Sequence, residues 1–176
     1  GQVLIELVTH PFELKAGMSG TVISLIPDYG AVIEANGALV QGVWGNNRSD
    51  AGMLVNLMKA PDHELTLAQI DIALRGSVVL GGFCAQPDAL KLASELPLRG
   101  LILSSIPASL VPLAVQLNMP ILVLEGFGRI PLCTPAYKLL TTNEKRELAI
   151  NAQPWNRFTG VRPEIIITLP VPQQVK

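Results

Sequence analysis

Charge, aromatic rings, histidine and cysteine are all scarce in this chain of 176 residues. Charged residues make up 15% and aromatics 5%, and there are two histidines, two cysteines and a formal net charge of −1. So little charge, so evenly balanced, excludes a long-range attraction to nucleic acid or anionic lipid. Residues 1–60 hold Lys15, Arg48 and Lys59 against Glu6, Glu13, Asp28, Glu34 and Asp50, and neither that part nor the remainder shows a basic stripe. Cys84 and Cys133 are too few for a disulfide framework, and no secretory signal is present, which reads as a cytoplasmic protein. Two separated histidines and two distant cysteines give no metal-ligand spacing, so no metal and no cofactor is expected. Long apolar runs are missing as well. The best candidate, Leu110 to Leu124, is broken by Pro112, Gln116, Asn118 and Pro120, too soon for a membrane span.

What the chain does have is aliphatic bulk, with 49% hydrophobic residues. That composition suits strands buried on both faces and contacts between copies, so a homo-oligomer is expected. The first sixty residues read as short strands, "VLIELV", "GTVISLIP", "GAVIEA", "ALVQGVW" and "GMLVNLM". The turn-forming clusters "PDYG", "ANG" and "GNNRSD" separate them, and no helix intervenes, which suggests a small barrel. The stretch Leu14 to Val40, "LKAGMSGTVISLIPDYGAVIEANGALV", places Gly17 and Gly20 before a Val-Ile strand and a turn into a second strand. In this it resembles the KOW motif of SH3-like barrels in ribosomal proteins and transcription elongation factors. The resemblance implies an SH3-like barrel over residues 1–62 that contacts RNA or protein partners.

From residue 63 the rhythm changes. "GSVVLGG", "GLILSS" and "PILVLEG" are nearly all apolar, and each precedes a helix-like segment: "QPDALKLASEL", "IPASLVPLAVQL" and "TPAYKLLTT". That alternation predicts a short parallel sheet flanked by helices. "KRELAINAQ" and "RPEIIITLP" add two strands at an edge, joined by the loop "PWNRFTGV". The fold class is therefore α+β overall, a barrel over 1–62 followed by an α/β lobe over 63–176 of flavodoxin-like or swivelling-domain-like character. Pro87, Pro107 and Pro135 sit at expected helix starts, all just beyond strand carboxyl ends, where open α/β sheets bind ligands.

Candidate chemistry gathers at that edge. "EGFGRIPLCTPAY" runs from Glu125 through Gly126, Gly128 and Arg129 to Cys133 and a proline-opened helix. It matches neither the dinucleotide fingerprint nor the phosphate-binding P-loop. Gly126 and Gly128 let the chain turn away from a strand, and Glu125 with Arg129 is expected to pair and brace the loop. If the helix starts converge, Arg129 and the free backbone amides offer a site for a small anion. Cys84 and Cys133 each lie between a strand and a helix start, a position that can activate a thiol. The two histidines, His10 and His63, both lie ahead of the strand-helix units that carry these cysteines, so inert cysteines are expected. Ser104 and Ser105 read as helix caps, because G-x-S-x-G is absent. Farther on, Trp155, Arg157, Phe158 and Arg162 cluster in one loop. They are either a partner-binding anchor or a pin holding the loop on the core, the second being the ordinary fate of Trp.

The functional expectation is a non-catalytic binding or assembly module, with no nucleic-acid partner. Because the chain starts at Gly1 and at once enters a strand-like run, it reads as the excised part of a larger bacterial-type protein. Two alternatives stand beside it: an enzyme for a small anionic substrate at the carboxyl edge of the sheet, and a nucleic-acid-binding accessory domain.

Overall fold

A computed structural model describes residues 16–169. Two strands, β1 (Thr21–Ile26) and β2 (Gly30–Glu34), form an antiparallel hairpin of their own. The remaining strands are β3 (Gly37–Gln41), β4 (Trp44–Gly45), β5 (Ser49–Asn56), β6 (Ser77–Phe83), β7 (Gly100–Ile106), β8 (Ile121–Phe127), β9 (Glu147–Asn151) and β10 (Glu164–Thr168). They make one mixed sheet in the order β3-β10-β9-β5-β6-β7-β8-β4. Strands β5 to β8 are mutually parallel, while β9, β10, β3 and β4 join antiparallel. Helices α1 (Pro87–Glu95), α2 (Val111–Gln116) and α3 (Thr134–Thr142) occupy the crossovers after β6, β7 and β8.

The two ends of that strand order, β3 and β4, are consecutive in the chain and only Gly42 and Val43 separate them. Gly42 donates its N–H to the Pro163 carbonyl at 2.7 Å, and Val43 donates to the Val123 carbonyl at 2.9 Å. Neighbouring residues thus bond to opposite edges, and the sheet closes on itself. Closure demands very close backbone approach. A Cβ on Gly42 would lie 2.6 Å from the Val123 carbonyl oxygen, and one on Gly45 would collide with the carbonyl of Ala152. Asn46 locks the junction from inside. Its buried side-chain amide donates to Ala114 O at 3.1 Å and Met119 O at 2.8 Å, and its Oδ1 accepts from Ile121 N at 2.9 Å. Every group is paired, which is the condition for burying an amide without penalty.

All-apolar strands are explained by two cores. Successive side chains point to opposite faces, so each parallel strand feeds both. Val78, Leu80, Ile102, Leu122 and Leu124 meet Leu148, Ile150, Ile165 and Ile167 from the antiparallel strands. Val79, Leu101, Leu103, Ile121 and Val123 meet Ala89, Leu90 and Ala93 of α1 and Ala114 of α2. Leu140 of α3 joins the first core rather than the second, so the parallel strands carry helices α1 and α2 on one face and strands on the other.

The strand-helix alternation and the terminal strands fall where the sequence put them, with four differences. Among the described residues, the strands before residue 62 do not gather in one small barrel: β3, β4 and β5 belong to the main sheet, and β1–β2 form a separate two-stranded sheet. A boundary at residue 62 separates β5 from β6, which are hydrogen-bonded neighbours. β9 and β10 are interior, each paired on both sides. Pro107 precedes a short 3-10 turn, and α2 begins four residues later with Pro112 near its start. Leu14, Lys15 and the first predicted strand, "VLIELV", lie outside the described residues. No helix among the described residues is long and apolar enough to cross a membrane.

Candidate functional site

The carboxyl ends of β6, β7 and β8 do bring most of the predicted residues together. Cys84 N donates to Ser105 O at 3.2 Å, Ser105 pairs with Gly126 across β7 and β8, and Gly128 N donates to Ile106 O at 2.9 Å. Gly126 and Gly128 have φ of 148° and 100°, so both turns need glycine, as expected.

Glu125, Arg129 and Ser105 are each engaged internally. Glu125 accepts the Cys133 N–H on Oε1 at 2.7 Å, so the chain's own carboxylate sits at the start of α3 where an external anion would bind. Arg129 does not brace Glu125. Its guanidinium pairs with Glu64 at 2.9 Å and lies over the Phe83 ring at 5.4 Å. Ser105 is no helix cap either. It lies within β7, donates its hydroxyl to Ile130 O at 2.8 Å and accepts from Ile130 N at 3.0 Å, stapling the loop after β8 to the sheet. Ser104 is also inside β7 and fully buried, its hydroxyl without a partner among the described residues.

The thiols are tuned away from reactivity. Burial pushes Cys84 up to about 11, with the Gln86 backbone pulling back and the Glu64 charge adding to the rise. For Cys133 the strongest influence, the Ala136 backbone, lowers the thiol. Partial burial, the hydrogen bond with Glu125 and that carboxylate's charge together outweigh it, so the thiol still rises. A nucleophilic cysteine needs the opposite shift. Among the described residues no group of His, Cys, Asp or Glu is arranged to hold a metal ion.

The loop between β9 and β10 is built differently. Asn156 shapes it, donating its N–H to Val161 O at 2.9 Å and accepting from Gly160 N at 2.9 Å and, on Oδ1, from Phe158 N at 2.9 Å. The aromatic side chains are not pinned to the core. Trp155 is 58% exposed and Phe158 85%. Arg157 lies over the Phe158 ring at 4.7 Å and Arg162 over Trp155 at 5.6 Å. A concavity of about 520 Å³ opens here, lined by Trp155 and Phe158 with Asn47, Gln153, Asn156 and Val161.

Sequence reading missed Asn46, hidden in the turn-like "GNNRSD", and Glu64, which is 65 positions from its partner Arg129. It also gave no role to His63, whose Nε2 meets the Gln69 side chain at 3.0 Å. No protein-family model, curated protein or solved structure matches this chain.

Proposed function

We propose that the chain is a non-catalytic binding or assembly module that associates with a second copy of itself through the β1–β2 hairpin. The observation that carries this reading is the exposure of the hairpin. All residues of both strands are exposed, among them Val22, Ile23, Leu25, Ile26, Val32 and Ile33, with Tyr29 at the turn. A lone two-stranded hairpin is marginal in water, and one so apolar gains most by being covered.

A second copy is the occupant that fits. Strand β1, "TVISLI", has no charge and no proline, the devices that normally guard an open edge. Antiparallel pairing of β1 with its symmetry mate would set the same strand edge of two copies against each other, the isologous arrangement of a two-fold dimer. The KOW-like character of Leu14–Val40 agrees with a protein partner, since Lys15 is its sole basic residue. The internal bonding of Glu125, Arg129 and Ser105 supports a non-catalytic role.

Light scattering at micromolar concentration tests the reading. The wild type is expected as a dimer or higher oligomer, and the double substitution Ile23→Lys, Leu25→Lys as a monomer with unchanged circular dichroism. A wild-type monomer overturns it.

A further inference from the structure

We infer that the loop Pro154–Arg162 is a docking site for an acidic, aliphatic-rich peptide segment of a partner protein. The inference rests on the binding-module reading but uses a surface separate from the hairpin. Three observations lead to it. Trp155 and Phe158, two of the chain's six Trp and Phe residues, stand exposed beside a concavity of about 520 Å³. A guanidinium rests on each ring, Arg157 on Phe158 and Arg162 on Trp155. Among the described residues neither arginine has a carboxylate partner, whereas Arg99 pairs with Asp50 and Arg129 with Glu64.

That arrangement is specific in chemistry. A guanidinium stacked on a ring keeps its planar edge of N–H donors directed outward, and that edge matches a carboxylate bidentately. Among the described residues the lining of the concavity holds Arg157 and no acidic residue, so its own formal charge is positive although that of the chain as a whole is not. The nearest acid along the chain, Glu164, lines a neighbouring cavity with Asp50 and Arg99. Asn47 and Gln153 supply amide groups that can meet the backbone of an extended segment, and the rings and Val161 receive its apolar side chains. Exposed Trp and Arg are the residues that anchor protein interfaces.

Aromatic rings beside arginines also stack nucleobases, so a single-stranded nucleic acid is the competing occupant. Charge decides against it. Nucleic-acid binders neutralise phosphates along an extended strand, typically about 6–10 of them, and this loop offers two arginines on a chain of net charge −1. Two cations suit two carboxylates.

The test follows backbone amide shifts while the full chain is titrated with a short peptide alternating glutamate and leucine. Parallel titrations use the same peptide with glutamine for glutamate, and single-stranded oligothymidine. Saturable shifts confined to residues 153–162 are expected with the acidic peptide. Binding should weaken about tenfold or more with the glutamine peptide, and again in the double variant Arg157→Gln, Arg162→Gln. Trp155→Ala with Phe158→Ala should abolish it. Equal binding of both peptides, tighter binding of oligothymidine, or no saturable shift at millimolar peptide each overturns the inference. Light scattering on the same samples separates the two ideas: a dimer that ignores the peptide refutes the docking site and leaves the assembly reading standing. A monomer that binds the peptide does the reverse.

Discussion

Strand β7, Gly-Leu-Ile-Leu-Ser-Ser-Ile, and strand β1, Thr-Val-Ile-Ser-Leu-Ile, are made of the same kinds of residue. Every residue of the first is buried and every residue of the second is exposed. Composition therefore does not decide which strand forms the core here. Position in the sheet does: β7 lies between two parallel neighbours, with helices over one face and antiparallel strands over the other. Among the described residues each hairpin strand has one partner strand and its side chains are exposed. In the closed sheet hydrophobic burial has been spent on folding, while in the hairpin it is still available for association.

The sharpest way to break this comparison is to make the same substitution in both places. Ile102→Ala in β7 removes a fully buried side chain and is expected to cost about 2–5 kcal/mol. Ile23→Ala, at a position 58% exposed, should change the stability of dilute protein by less than about 0.5 kcal/mol. Urea denaturation measures both, and equal costs would mean that the hairpin is already covered within one chain.

A second way is to attack closure alone. Asn46→Ala leaves the Ala114 and Met119 carbonyls and the Ile121 amide without their side-chain partner. The expected loss is about 2–4 kcal/mol in thermal or urea unfolding, with no effect on association through β1. A neutral result would show that water or backbone shifts replace the amide.

The third is a matter of pH. Cys84 is protonated up to about 11 when folded, against an ordinary 9.0, so between those values the native state holds the extra proton. Stability is intact below pH 9 and declines as pH rises toward 11, by roughly 2–3 kcal/mol for this group. Cys84→Ala should lack that share of the alkaline loss. Parallel stability curves for the two proteins from pH 8 to 11 would remove burial of the thiol as a cause.

Local pattern made much of the second half legible. The apolar runs at 76–82, 100–105 and 120–126 became β6, β7 and β8, and Pro87 and Pro135 marked true helix starts. What stayed hidden was set by distant contact. "ALVQGVW" reads as one strand, and nothing local says that it changes partners at Gly42, because the reason lies in residues 123 and 163. Arg129 had Glu125 four residues away, but the fold brought Glu64 to it instead. Glu125 instead accepts the Cys133 N–H ahead of α3. For Trp155 and Phe158 the ordinary expectation of burial failed, since the loop turns on Asn156 and keeps both rings outside.

The change of partner at Gly42 also bears on how the chain is made. A ribosome delivers β3 well before its partner strand among the described residues, β10, which comes more than 120 residues later at Glu164–Thr168. During synthesis the β3 edge therefore waits, its backbone groups solvated, until β10 has emerged. Contacts of such sequence separation form late and slowly. The nascent protein thus passes through a long interval in which β3 and β1, both rich in aliphatic residues, are open at once, and this is when a chaperone or a neighbouring copy has most to bind.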